Sequence, residues 1–168
     1  MGDLTRNFSR SEFACPCCGR ADVDMRLVEA LQELRDLAGV PVRVNSGFRC
    51  EKHNREVGGA RRSRHLLGEA ADIVVKGLTP ERMYRLAEQV EAFRNGGIGL
   101  YPQQGFIHVD VRGGRARWAR LDGKYVALDK SAGQRIWTAA GRPEEVRATD
   151  GKHQKALQSE GGNDHATA

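Results

Sequence analysis

A run of seven residues, 106–112, alternates strictly between two kinds of side chain. The odd positions all hold Ile or Val, and the even positions hold Phe106, His108, Asp110 and Arg112. Because successive side chains of a strand point to opposite faces of a sheet, this pattern predicts a strand with one apolar face on the core. The other face then carries an imidazole and a carboxylate side by side. The chain must therefore form a sheet, and the polar face of this strand is the first candidate for a functional site.

Two amphipathic helices are predicted to accompany the sheet. Apolar residues recur at three- and four-residue steps over 23–38, with Asp22 or Asp24 available as a cap. A second such pattern covers 80–94, where Thr79 precedes a proline at the first helical position. Short strands are predicted at 42–44, 70–75, 97–101 and 106–112, the last two joined as a hairpin. The predicted fold class is α+β, a small and mostly antiparallel sheet with the helices packed on one face.

The predicted organisation is one domain and an appendage. The domain covers residues 1–121 and includes a cysteine-rich N-terminal segment, 7–20. Periodic patterns fade after about Trp118, so residues 122–168 are predicted to be a partly flexible C-terminal extension, with 140–168 as its tail.

The charge of the chain indicates which kinds of partner it could bind. The formal net charge is +5, and all of it lies in the first 121 residues, because residues 122–168 hold seven basic and seven acidic side chains. A basic domain favours an anionic partner, although solubility alone would also explain the charge. No helix-turn-helix and no interleaving of aromatic and basic residues indicates nucleic acid. The candidate contacts for an anionic polymer are Arg61, Arg62, Arg64, Arg112, Arg115, Arg117 and Arg120.

Membrane insertion and classical secretion are not expected. No run of 18 apolar residues predicts a transmembrane helix, and the first 15 residues lack the apolar core of a signal peptide. We expect a monomer that is made in the cytoplasm.

Three residues form a candidate metal site. His65 and Asp72 are seven residues apart, which suits a loop followed by a strand, and His108 lies on the alternating strand. Taken singly, a strand histidine is more often structural and an aspartate more often caps a helix. Asp72, however, interrupts the apolar run 70–75 without a local partner, and a buried carboxylate needs one. A shared metal would account for all three, and this ligand set is typical of catalytic zinc, which activates water and polarises a carbonyl.

Five segments of the sequence form a recognisable set of motifs. They are Ser46-Gly-Phe-Arg49, His53-Asn-Arg-Glu-Val-Gly-Gly-Ala60, Ser63-Arg-His-Leu-Leu-Gly-Glu-Ala-Ala-Asp72, Gly97-Ile-Gly-Leu-Tyr101 and Phe106-Ile-His-Val-Asp-Val-Arg112. Taken together, they resemble the zinc D-Ala-D-Ala carboxypeptidase family, whose relatives include D-Ala-D-Ala dipeptidases, phage L-alanyl-D-glutamate endolysins and the hedgehog-type fold. The likeness covers roughly residues 7–120 and is greatest to the small single-domain branch of bacterial and phage cell-wall hydrolases.

The resemblance implies a role for individual residues. His65, Asp72 and His108 match the zinc ligands of the family. Arg49 matches the arginine that contacts a carbonyl or carboxylate of the substrate, and Ser63 matches a residue that lines the site.

The general base departs from the family pattern. Many relatives carry a Glu or Asp three residues before the last histidine, where this chain has Gly105. Asp110, on the same strand face as His108, is the substitute that we expect, with Glu69 as a weaker candidate. Asp110 could instead orient the His108 ring through a hydrogen bond, or pair with an arginine at the surface.

The implied function is a zinc-dependent peptidase that hydrolyses peptide bonds of peptidoglycan stem peptides or cross-links. Both the D-Ala-D-Ala carboxypeptidase type and the murein endopeptidase or endolysin type fit, with action on the cell wall if the chain is a phage or prophage lysis protein. The alternative is a cell-wall-binding or phage structural module that keeps the metal-binding fold without turnover.

Four cysteines remain to be explained. Cys15, Cys17 and Cys18 look like half of a zinc knuckle, and the other half would be Cys50 or a histidine. Cys50 directly follows Arg49, so a link between Cys50 and the N-terminal cysteine segment would hold that arginine in place. A structural metal, a disulfide and free buried thiols all remain open.

Overall fold

The computed structural model describes residues 2–128, and the predicted tail 140–168 lies outside them. The helices are α1 (Met25–Ala38), α2 (Glu51–Glu56), α3 (Pro80–Ala87) and α4 (Glu91–Asn95), with 3₁₀ turns at Arg10–Phe13 and Arg64–Leu67. The strands are β1 (Val42–Ser46), β2 (Ala70–Val75), β3 (Gly97–Tyr101), β4 (Phe106–Asp110), β5 (Ala116–Leu121) and β6 (Lys124–Ala127). This arrangement confirms the α+β class. None of the helices within residues 2–128 is both long and apolar enough to cross a bilayer.

The ends of α1 and the start of α3 follow from local chemistry. The Asp24 side chain accepts a hydrogen bond from the backbone N–H of Arg26, which satisfies a free donor at the start of α1. Gly39 ends that helix in the left-handed region, with φ of 66°. At the start of α3, the Thr79 hydroxyl accepts a hydrogen bond from the backbone N–H of Arg82, as Asp24 does for α1. Of the two caps predicted for α1, the structure therefore uses Asp24.

The single helix predicted over 80–94 is two helices in the structure. After α3 the backbone N–H of Val90 donates to the carbonyl of Ala87, and Val90 itself is extended with φ of −81° and ψ of 120°. This break lets both Val90 and Phe93 reach the core, where neither is exposed. Periodicity alone missed the break, because the residues on both sides of it are apolar at helical steps.

The six strands form one sheet in the order β1-β2-β4-β3-β5-β6. Four neighbouring pairs are antiparallel, but β3 and β5 run parallel, so the sheet is mixed. Strands β5 and β6 were not predicted from the sequence. The sheet thus continues past the predicted boundary at Leu121, which is the last residue of β5.

The two faces of the sheet differ in kind. One face joins the core with α1, α3 and α4, and it carries Ala71, Ile73, Val75, Ile98, Leu100, Ile107, Val109 and Ala119. The other face carries the polar residues of β2 and β4. In a pleated sheet these two sets must alternate, so the buried core fixes which residues face the opposite side.

Candidate metal centre

One register row of the sheet holds the candidate site. Asp72 in β2 pairs with His108 in β4, His108 pairs with Gly99 in β3, and Gly99 pairs with Trp118 in β5. Residues that pair in register project to the same face of a sheet. Asp72 and His108 therefore stand next to each other on the face opposite the core.

His65 reaches this row from a 3₁₀ turn. Gly68, which follows the turn, has φ of 68°, and a Cβ there would lie 2.1 Å from the carbonyl oxygen of Asp22. Only glycine fits such a close approach in that conformation. The His65 Nδ1 lies 2.7 Å from the carbonyl oxygen of Gly47. Since a carbonyl only accepts, Nδ1 carries the proton, and the lone pair of Nε2 points toward Asp72 and His108.

Three potential ligand atoms converge in this histidine cluster, defined as His65, Asp72 and His108. His65 Nε2 lies 3.2 Å from His108 Nδ1 and 3.3 Å from Asp72 Oδ1, and His108 Nδ1 lies 3.0 Å from the same oxygen. All three residues are buried, and Asp72 and His108 keep more of their surface exposed, 9% and 7%, than His65 with 2%.

The donor set suits a cation. When His65 and His108 are neutral, with their protons on the ring nitrogens that face Gly47 and Asp110, each directs a lone pair at Asp72 Oδ1. Lone pairs from two imidazoles and one carboxylate then meet with no hydrogen between them, which is unfavourable without a positive ion. Two His and one Asp within 4.8 Å match a three-ligand zinc site with an open position.

Electrostatics favour the binding forms of His65 and Asp72, whereas at His108 burial is outweighed by the hydrogen bonds and charges of Asp110 and Asp72, which raise the pKa of the ring. Burial lowers the pKa of His65 and so favours the neutral imidazole that a metal requires. Burial alone would raise the pKa of Asp72, but the facing His65 and His108 rings outweigh it, and the pKa lies well below its usual range. Asp72 is therefore ionised at neutral pH.

Asp110 lies on the far side of the His108 ring from these atoms. Its Oδ2 is 3.0 Å from His108 Nε2, while Oδ1 accepts from the backbone N–H of Gly97 at 3.0 Å and from Arg112 Nε at 2.7 Å. Asp110 is completely buried, and a Cβ on Gly97 would lie 2.2 Å from Oδ2. A base must reach the open side of the centre, so this geometry does not suit the expected base role and matches instead the orienting role.

Arg49 lies at the edge of the centre. Its Nη2 forms an ion pair with Asp72 Oδ2, and its Nε donates to Ser46 Oγ at 2.7 Å. Ser63 begins the 3₁₀ turn that carries His65, and its hydroxyl makes no capping bond. The Glu69 carboxylate lies 3.0 Å from Arg64 Nη1. The expected substrate contacts of Arg49 and Ser63 stay predictions.

Comparison with known proteins identifies the domain. The peptidase M15 family matches residues 6–110. The chain belongs to the peptidase M15 family. The peptidoglycan L,D-endopeptidase MepK of Escherichia coli K12 is 32% identical over 96 residues, which cover 53% of this chain and 51% of MepK. A probable peptidoglycan L,D-endopeptidase MepK of Haemophilus influenzae is 33% identical over 80 residues, or 45% of this chain and 41% of that protein. The chain thus spans about half the length, or less, of the curated relatives it matches.

An aromatic wall that was not predicted from the sequence lies beside His108. The Trp118 ring lies 5.1 Å from the His108 ring between centroids, and its Nε1 donates to the Tyr101 hydroxyl at 3.2 Å. A Cβ on Gly99 would lie 2.4 Å from Trp118 Cε2, so the indole folds over the glycine. Burial raises the pKa of Tyr101 to about 12, which keeps the hydroxyl protonated. The sequence did contain one signal of this wall. A glycine at position 99, on the same strand face as Gly97, leaves space for a large neighbouring side chain.

Several of the arginines expected to hold an anionic polymer instead pair with acidic side chains of this chain. Arg112 pairs with Asp110, and Arg115 and Arg117 both pair with Glu88. Arg61 and Arg62 are exposed. The net charge therefore overstates the cationic surface that a polymer can use.

The structure brings three of the four cysteines together. The sulfurs of Cys15, Cys18 and Cys50 lie within 4.8 Å of one another. None of the four cysteines, including Cys17, forms a disulfide. We call these four residues the cysteine cluster.

Proposed function

We propose that this M15 domain is a zinc-dependent peptidase that hydrolyses peptide bonds of peptidoglycan at the cell wall. The observation that carries the proposal is the convergence of three lone pairs from His65, Asp72 and His108 on one point. The names of the relatives, peptidoglycan L,D-endopeptidases, favour the endopeptidase type over the carboxypeptidase type.

The histidine cluster would hold one zinc ion through His65 Nε2, His108 Nδ1 and a carboxylate oxygen of Asp72. Zinc in such a site polarises a peptide carbonyl and makes water a better nucleophile. The protein contributes by fixing the two rings. Gly47 holds His65 through Nδ1, and Asp110 holds His108 through Nε2, so neither ring can turn its free lone pair away.

Asp110 is proposed as a positioning residue in place of the base role expected from its strand position. It is buried and bonded to Gly97 and Arg112, which leaves its carboxylate no path to a substrate. Its negative charge also makes His108 a stronger ligand.

Arg49 is proposed to bind the substrate. Its guanidinium is fixed by Ser46 and Asp72 at the edge of the centre, where it can also donate to a carbonyl or carboxylate oxygen. Arg49 then stabilises the negative charge that develops on the carbonyl oxygen during attack. Trp118 and Tyr101 form the neighbouring wall of the cleft.

A second candidate is a wall-binding module without turnover. Gly105 offers no side chain at the base position of many relatives, and Asp110 faces away from the centre. Among residues 2–128, the acids hydrogen-bonded to the two histidines are Asp72 itself and Asp110.

One experiment separates the two candidates. Purified peptidoglycan is incubated with the chain, with the chain and a chelator, and with His65→Ala, and released muropeptides are analysed by mass spectrometry. The peptidase predicts cleavage that requires both zinc and His65, and the mass of the fragments identifies the bond. Binding to peptidoglycan with bound zinc and no cleavage would establish the module instead.

A further inference from the structure

The sulfur positions of the cysteine cluster distinguish a metal site from a disulfide. Cys15 Sγ and Cys50 Sγ are 3.8 Å apart. A disulfide requires about 2.05 Å between sulfurs. A tetrahedral zinc with Zn–S bonds of about 2.3 Å holds its sulfurs about 3.8 Å apart. The observed separation is that of two thiolates on one zinc.

Backbone donors surround the Cys15 sulfur. The N–H of Cys50 donates to it at 3.5 Å, and the N–H groups of Cys17 and Cys18 also point to it. The N–H of His53 donates to Cys50 Sγ at 3.5 Å. Such donors stabilise negative charge on sulfur, which is the form that binds metal.

The chain around Cys15 turns back on itself. The N–H of Gly19 donates to the carbonyl of Cys15 at 2.8 Å, and the N–H of Cys15 donates to the carbonyl of Arg20 at 2.7 Å. Gly19 has φ of 73°, a conformation that favours glycine. This turn brings Cys18 beside Cys15, while Cys17 lies on the same turn with an exposed side chain, outside the group of three sulfurs.

We infer that the cysteine cluster is a second, structural zinc site, with Cys15, Cys18 and Cys50 as ligands and Cys17 as the fourth. It joins the N-terminal segment to the start of α2. It is separate from the histidine cluster, and it does not depend on the proposed peptidase activity.

This site would hold the substrate arginine in place. Cys50 follows Arg49 directly, and two residues before Arg49 lies Gly47, whose carbonyl binds His65. On the N-terminal side, the N–H of Phe48 donates to the carbonyl of Phe13 at 2.9 Å. Zinc on the cysteines thus fastens the loop that carries Arg49 at a second point.

Metal analysis of the reduced, purified chain tests the inference. We expect two zinc ions per chain in the unaltered protein, one in His65→Ala and one in Cys18→Ser. The control is His53→Ala, whose side chain belongs to neither cluster and which should keep two. Cobalt substitution separates the sites, because thiolate ligands give a strong sulfur-to-cobalt absorption. This absorption should persist in His65→Ala and disappear in Cys18→Ser.

Other outcomes overturn the inference. A single zinc in the unaltered chain without the sulfur-to-cobalt absorption would exclude a thiolate site, even if Cys18→Ser fails to fold. Two thiols instead of four, titrated in the denatured chain isolated without reductant, would establish a disulfide. Full sulfur-to-cobalt absorption in Cys17→Ser would remove Cys17 from the ligand set. None of these readouts depends on peptidase activity, so failure of this inference is distinguishable from failure of the proposed function.

Discussion

The histidine cluster and the cysteine cluster differ in how firmly the fold holds their potential metal ligands. Asp72 and His108 stand on paired strands, and both histidine rings are held by hydrogen bonds to Gly47 and Asp110. The cysteines lie on turns and at the start of a short helix, and Cys17 and Cys18 are exposed.

The difference separates two uses of a metal. A sheet can hold several lone pairs close together despite their electrostatic repulsion, because its many other contacts maintain the geometry. A turn has few such contacts, so a metal there supplies much of the order itself. We therefore expect the histidine cluster to keep its shape without zinc and the cysteine cluster to lose it.

The largest expected effect is that of His65→Ala on turnover. Removing one of three ligands should abolish zinc binding at the histidine cluster and reduce cleavage to background. The fold should persist, because the core and the cysteine cluster are untouched. Zinc analysis, muropeptide release and circular dichroism measure these three quantities. Cleavage at more than a few per cent of the original rate would show that the ligand set is wrong.

Asp110→Asn should act through the metal. Loss of the carboxylate that holds His108 should weaken zinc binding by roughly 10–100-fold. At saturating zinc, kcat should return to within a few-fold of its original value, whereas loss of a base would leave kcat low with zinc bound. The measurement is kcat as a function of free zinc.

Glu69→Gln is the matched comparison for Asp110→Asn. Its carboxylate pairs with Arg64 and lies outside the hydrogen bonds of the histidine cluster. We expect little change in zinc affinity or kcat. A large fall in kcat with zinc retained would make Glu69 the base.

Gly99→Ala tests how rigid the sheet row is. The new methyl group would lie 2.4 Å from Trp118 Cε2, well inside van der Waals contact, so the indole must move. We expect a loss of about 1–3 kcal/mol in the free energy of unfolding. Urea denaturation of Gly99→Ala, Trp118→Ala and the double variant measures the coupling. Additive losses would show that the two residues do not constrain each other.

The smallest expected effect belongs to an ion pair distant from both clusters. Burial raises the pKa of Glu88, but Arg117 and Arg115 outweigh it and lower the pKa to about 2. A carboxyl whose pKa is lowered by folding stabilises the fold at pH values above the pKa it has in the unfolded chain, which is about 4.3 for Glu. That contribution falls as the pH drops toward 2. Unfolding measured from pH 5 to 2 should therefore depend less on pH in Glu88→Gln, and an unchanged slope would contradict the pairing.

Some structural features of this protein could be predicted from local sequence patterns. Asp24, one of the two predicted caps, begins α1, because a cap acts within a few residues of the helix end. The alternation over 106–112 placed His108 and Asp110 on one face, because a strand admits no other arrangement. The resemblance to a known family supplied the candidate ligands, and the structure brings all three together.

Other features were decided by contacts between distant parts of the chain. β5 shows little alternation of its own and exists because β3 and β6 pair with it on either side. Whether Asp110 faces the metal centre or supports His108 from behind depends on Gly97, which leaves space for the carboxylate, and on Arg112, which binds it. A strand pattern assigns a side chain to a face, but only the packed neighbours determine which atoms of that side chain remain available for chemistry.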